Sequence, residues 1–346
     1  MPLRCSSGAQ GDGRTRYGRA LAADGLDARP LLNAMSRILV ISLIACLATV
    51  STQERGPVQS PGGQTPIFSS SAELVIAHVT VKDRQGAYVT SLPEEAFRVF
   101  EDGTPQRIDF FTGEDSPVTV GFLVDSSGSM REGRERVIAA ATAFAEASNR
   151  QDELFALAFN ENVHAALPPS APFTNDATVF RVALAGAMGA QGRTAMYDAI
   201  SNGLSYIAMG HHPRRVLVVV GDGGDNASTT TFDEALKQAQ RSNAAIYTVG
   251  VIDPLEPDTN PGLLKRLAVA TGGESFLPRD VDAVDGVLQR IADDIRHSYT
   301  LGYVSSNPAR DGRFRRIRIV ATNSAGRSLR VRTRDGYRAG GPLLGS

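Results

Sequence analysis

The chain has 346 residues, 42% of them hydrophobic and 21% charged, and its 36 basic and 37 acidic side chains leave a formal net charge of -1 at pH 7. That balance excludes a general electrostatic pull toward nucleic acid or membrane and leaves such roles to local patches, while the apolar share is enough for a core in two modest domains. Cys5 and Cys46 both precede every segment that reads as folded, which excludes a disulfide bracing the core.

Residues 1–52 read as an N-terminal extension with an export signal. Met35-Ser36-Arg37 precedes an apolar run from Ile38 to Val50 that is short for a membrane span but suits a signal-peptide core, and polar Ser51 to Arg55 follow. The stretch before it is rich in Gly, Arg and Asp without periodicity, so Met1 and Met35 both stand as candidate starts. Leu43-Ile44-Ala45-Cys46 has the form of a lipobox, which would place a lipid anchor on Cys46; cleavage between Ala48 and Ser51 is the equal alternative. Either way the protein is expected in the periplasm, the cell envelope or the extracellular space. Residues 53–72, dominated by Pro, Gly, Ser and Gln, have little to bury and read as a flexible linker.

Residues 73–116 read as strands. Leu74 to Val81 is apolar and β-branched, and Phe97 to Phe100 is answered by Arg107 to Phe110 across the Asp102-Gly103 turn. Residues 298–338 repeat the style in Tyr299 to Val304, Phe314 to Val320 and Leu329 to Thr333, with 339–346 as a tail. Neither flank has enough strands to stand alone, so the two are expected to form the halves of one β-sandwich.

The intervening region, 117–297, alternates apolar strands with helical patterns. Strands are predicted at Val118 to Val124, Leu154 to Phe159, Val163 to Leu167, Val216 to Val220, Ala245 to Val249 and Ser275 to Leu277. Helices are predicted at Arg131 to Asn149, Asp176 to Ala187, Thr194 to Met209, Phe232 to Ser242, Gly262 to Thr271 and Val281 to Ile295. Continuous apolar strands joined by helices imply a doubly wound, mostly parallel α/β sheet, here inserted between the sandwich halves.

Asp125 follows the first of these strands and Asp222 the fourth. In an open sheet of order 3-2-1-4-5-6 those strands are neighbours where the winding reverses, and both acids face the crevice at their carboxyl ends. Two close carboxylates repel unless a positive charge lies between them, and neither loop supplies Lys or His. Ser127 and Ser129 add hydroxyls from the first loop, and Thr194 reaches across from another. An all-oxygen set favours Mg²⁺, with Mn²⁺ the substitute, over Zn²⁺.

Asp-x-Ser-x-Ser after strand one, a Thr in a Gly-containing loop and Asp-Gly after strand four resemble the metal-ion-dependent adhesion site of von Willebrand factor A domains, which are Rossmann-like. The resemblance implies a metal held by Asp125, Ser127, Ser129, Thr194 and Asp222, and a protein partner that supplies an acidic side chain to it. Further stretches, including Ala96 to Gly103, Thr194 to Ile200, Tyr299 to Tyr303 and Arg332 to Tyr337, resemble a related family common in acidobacterial secreted proteins.

Simpler roles compete at each position. Ser129 with Glu132 fits a helix-capping box and Thr194 precedes a helix. Asp225, Asn226 and Ser228 either orient Asp222 or are plain loop polarity, and Asp198 reads as a solvated helix carboxylate. Arg316, Arg318, Arg330, Arg332 and Arg334 alternate with apolar residues, which reads as the wet face of two half-buried strands. No zinc-finger spacing or aromatic RNA signature points to nucleic acid, and the five histidines form no cluster in sequence. No nucleophile elbow, phosphate loop or general base beside the two acids points to catalysis, so no enzyme is expected. A metal-dependent phosphoester hydrolase and a metal-free envelope scaffold are the alternatives.

Overall fold

The computed structural model describes residues 74–189, 192–251 and 259–340. The export signal, Cys46, the linker and the tail beyond 340 lie outside them. Strand β1 (Leu74–Lys82) is buried along most of its length and is followed by a short 3-10 turn and β2 (Phe97–Glu101). Asp102 and Gly103 both take positive φ, 47° and 85°, and close the two-residue turn that their pairing predicts. So tight a turn starts the ladder at once: Glu101 opposes Thr104, and the returning strand is β3 (Thr104–Gln106), not Arg107 to Phe110. Beyond Gln106 the chain changes sheets, and Phe110 opens β4 (Phe110–Thr112).

The α/β region then runs β5 (Thr119–Asp125), α1 (Arg134–Glu146), β6 (Glu153–Phe159), β7 (Val163–Ala165), α2 (Ala177–Ala187) and α3 (Met196–Ala208). It continues through β8 (Arg215–Gly221), α4 (Phe232–Arg241), β9 (Ala245–Gly250), α5 (Pro261–Thr271), β10 (Ser275–Phe276) and α6 (Val284–Arg296). The strands lie in the order β10-β9-β8-β5-β6-β7, parallel except for β7, so the first and fourth strands are neighbours as the pattern requires. Alternate residues of the central strand feed two cores. Val120, Phe122 and Val124 pack with α1, α2 and α6, while Leu123 packs with α3 and α5. Local signals fix the helix ends: Asp176 caps α2, Thr231 and Glu234 form a reciprocal capping box on α4, and α5 starts on Asn260-Pro261.

The chain finishes with β11 (Ser298–Val304), β12 (Phe314–Ala321), β13 (Arg330–Arg332) and β14 (Gly336–Arg338). Two four-stranded sheets result, β13-β1-β11-β4 and β14-β12-β2-β3, each mixing strands from before and after the α/β region. Val79, Phe97, Tyr299 and Ile317 belong to the one apolar cluster between them. β1 pairs with β11 from Leu74↔Val304 to Thr80↔Ser298, and β2 with β12 from Glu101↔Ile317 to Phe97↔Ala321.

The seam between this two-sheet unit and the α/β region is polar and hydrogen-bonded. Asp294 of α6, buried to 2% exposure, accepts hydrogen bonds from Tyr247, Tyr88, Thr80 and Arg332. Arg334 donates to the carbonyls of Gln240 and Ser242 at the end of α4, at 2.7 and 2.8 Å. Arg332 and Arg334 are therefore seam residues and not part of a wet sheet face, because the α/β region covers the positions that strand alternation marks as outward. His78 is buried in the same seam and donates from Nε2 to the Asn243 carbonyl at 3.1 Å; burial and the charge of Arg214 lower its pKa to about 3, so it stays neutral.

Candidate functional site

Asp125 is the last residue of β5, and the parallel ladder to β8 sets it beside Gly221 and Asp222. The loop after it is drawn tight. Ser126 turns away and donates to the Phe159 carbonyl, and a 3-10 turn over Gly128–Met130 plants Met130 in the core. This turn delays helix α1 to Arg134, past the Arg131 that periodicity suggests. Between these anchors Ser127 and Ser129 are presented toward Asp222. On the far side, Gly223 has φ +82° and an added Cβ would lie 3.1 Å from the Asn260 carbonyl, so only glycine suits the turn that follows Asp222.

Four of the five expected residues form a connected set. The Asp125 Oδ1 accepts from the Ser127 backbone N–H at 2.8 Å, the Ser127 and Ser129 hydroxyls meet at 3.0 Å, and Ser129 Oγ donates to Asp222 Oδ2 at 3.0 Å. The other Asp222 oxygen accepts from the Gly224 N–H at 2.9 Å. Thr194 joins through its backbone: its N–H donates to the Asn226 side chain at 2.9 Å, and its carbonyl accepts from the N–H groups of Asn226 and Ala227. The structure thus brings Thr194 onto the loop that carries Asp222, while no hydrogen bond among the described residues links its hydroxyl to the other four.

Neither hydroxyl caps a helix. The caps of α1 and α3 fall on Gly133 and Ala195, without side-chain bonds. Asp225, Asn226 and Ser228 do not bond Asp222 either. Asp225 accepts from the Tyr197 N–H at the start of α3 and from Ser228 Oγ, and Asn226 grips Thr194. Asp198 accepts from the N–H groups of Thr229 and Thr230, so it braces that loop and is not merely solvated. These braces between two loops depend on tertiary proximity; the only sequence sign of them is the density of short polar residues after Asp222.

The electrostatics of the site are unbalanced. Asp125 is 1% exposed, its Oδ2 is buried without a hydrogen-bond partner, and neither it nor Asp222 has an ion pair among the described residues. Burial raises Asp125 to about 7, against the hydrogen bonding of Ser127 and with the help of the Asp222 charge. This folded value lies above the unfolded one, so the extra proton's stabilising effect is present at low pH and is lost as pH rises toward and past 7. A cavity of about 160 Å³ opens on Ser129 and Asp222; Glu132 and Asp280 also line it, and no basic residue does. The donor set fits a hard cation: two carboxylates, one with an orphaned oxygen, and two hydroxyls linked to each other and to Asp222.

A family model described as von Willebrand factor type A domain matches residues 119–294, from the start of β5 into α6. Similar solved structures include a von Willebrand factor type A protein from Catenulispora acidiphila, with TM-score 0.48 and 14% identity over 76% of this chain and 73% of that one. The conserved hypothetical protein BatB from Bacteroides thetaiotaomicron gives 0.40 and 18%, over 51% of this chain and 98% of that one. The vWF domain of the type V pili tip protein Mfa5 from Porphyromonas gingivalis gives 0.42 and 14%, over 52% and 96%. No curated protein matches the chain.

Proposed function

Since the chain belongs to the von Willebrand factor type A domain family, whose match covers half of it, we propose that it is a metal-ion-dependent protein-binding module. Asp125, Ser127, Ser129, Thr194 and Asp222 hold one Mg²⁺, for which Mn²⁺ can substitute. When bound, the cation supplies a Lewis-acid point that an acidic side chain of a partner protein can occupy. The observation that carries this reading is the buried, unpartnered Oδ2 of Asp125 beside a hydroxyl chain that ends on Asp222. Ser129, the one exposed member of that chain, and the adjoining cavity leave a way in from solvent. The module works outside the cytoplasm, in keeping with the apolar run from Ile38 to Val50, and is either free or anchored through Cys46. Among the described residues no helix is long and apolar enough to cross a membrane.

Calorimetric titration of the full chain tests this. At pH 8 Mg²⁺ is expected to bind with one-site heat, and Asp125→Ala to show none. At pH 6 binding should weaken, because a carboxyl with a pKa of about 7 must first shed its proton. An excess of a peptide with a single glutamate should tighten Mg²⁺ binding, since a carboxylate that shares the ion must raise its affinity reciprocally. Silence from the wild type at pH 8, or equal heat from the variant, overturns the cation; an unchanged affinity with peptide overturns the acidic partner.

A further inference from the structure

The outer face of the sheet β14-β12-β2-β3 is strongly biased toward positive charge. Strand register turns Arg98 and Phe100 of β2 outward, opposite Val320 and Arg318 of β12, while their neighbours Phe97, Val99 and Ile319 face the core. Arg316 and Phe314 continue the outward row on β12, and Phe314 faces Arg338 of β14. This face therefore presents three exposed guanidinium groups, Arg98, Arg316 and Arg318, while Arg338 is half-buried and bonds Gln240 and the Gly312 carbonyl; no strand position that points outward carries a carboxylate. Arg98, Arg316 and Arg318 form no ion pair among the described residues. Arg318 instead lies over the Phe100 ring, 4.0 Å from its centroid. Arg316 and Arg318 sit about 7 Å apart along their strand, and Arg98, opposite Val320 on the adjoining strand, is the diagonal neighbour of Arg318 at about 7 to 8 Å.

The same face runs into an open cavity of about 460 Å³, where the β2–β3 hairpin parts after Gln106. Arg98, Phe100 and Pro105 line it, and so do the exposed carboxylates Glu94 and Glu95. Guanidinium groups beside carboxylates select among polyanions. A phosphodiester or lipid headgroup would meet repulsion from Glu94 and Glu95, whereas an acidic sugar offers its carboxylate to arginine and its hydroxyls to those acids. Phe100 is already covered by Arg318, which leaves Phe314 as the other outward aromatic on these strands, too few for a run of stacked nucleobases and too little apolar bulk for a bilayer.

We propose that this face binds an acidic, uronate-type polysaccharide, independently of the cation site. The carboxylates of successive sugars pair with Arg98, Arg316 and Arg318, and the hydroxyls of one residue donate to Glu94 and Glu95. The test is affinity electrophoresis of the full chain in gels containing polygalacturonate, with EDTA present so that the cation site plays no part. The wild type is expected to be retarded by polygalacturonate and not by its fully methyl-esterified form. R316S/R318S should be retarded at least about tenfold less, given the loss of two charge-assisted contacts. Glu94→Gln/Glu95→Gln should also weaken retardation, whereas for a bare polyanion it would strengthen it. Circular dichroism and Mg²⁺ heats equal to wild type confirm that both variants are folded. The proposal is overturned if polygalacturonate leaves the wild type unretarded, if the arginine variant runs like it, or if the glutamine variant binds more tightly. It is overturned too if phosphatidylglycerol vesicles take up the protein through these arginines while the glycan does not.

Discussion

Replacing Asp294 with alanine is expected to destabilise the chain by about 3 kcal/mol, the low end of what removing one partner from a buried ion pair costs. Asp294 is 2% exposed and gathers Tyr247, Tyr88 and Thr80 around itself along with Arg332. Without it the Arg332 charge stays at the seam with the Thr80 hydroxyl at 2.9 Å, the Gly272 carbonyl at 3.1 Å and, as its remaining acidic partner, the half-buried Glu274 carboxylate at 4.0 Å. Arg332 keeps a 26% exposed side chain, and solvent reaching it is why the low end applies. Urea denaturation measures the difference, and thermal unfolding should move down by about 6 to 12 °C if the two parts melt together. Asp294→Asn keeps the shape and can still accept from one of the two tyrosines, which donate to different carboxylate oxygens, so its cost should be smaller. A loss below about 1 kcal/mol for the alanine variant would show that the seam is held by packing and not by this carboxylate.

The second large effect is expected from deleting residues 298–346. β1 would lose its whole ladder to β11, and β2 its ladder to β12, leaving the strands before the α/β region without the apolar face that covers them. Isolated two-stranded pieces are marginal in water, so Leu74–Lys82 should exchange its amide hydrogens at rates close to those of an unfolded chain. Native protection of that strand in the truncated protein would mean that the two flanks fold separately.

The α/β region was legible because its signals are local. Runs such as Val216 to Val220 are too apolar for a half-wet strand, and the Asp125 and Asp222 motifs fall at strand ends where a reversal in winding puts them together. The flanks were less legible where topology overrides spacing. The Asp102-Gly103 turn was readable, but nothing local shows that the chain leaves after Gln106 to give Phe110 to the other sheet, or that Gly336–Arg338 is a strand. Arg332 and Arg334 alternate as an exposed row would, yet the surface that buries them comes from α4 and α6, far away in sequence. Around the site, the capping roles of Ser129 and Thr194 look sound as local patterns. They fail because a 3-10 turn and the Asn226 grip move the helix starts beyond both residues.

Crystals of the full chain grown with Mn²⁺ offer the most direct measurement, through anomalous scattering. A single strong peak is expected within coordinating reach of Ser127, Ser129, Thr194 and the two acids Asp125 and Asp222. No peak there at saturating Mn²⁺, or a peak bound by other residues while Ser129 keeps its hydrogen bond to Asp222, would contradict the account.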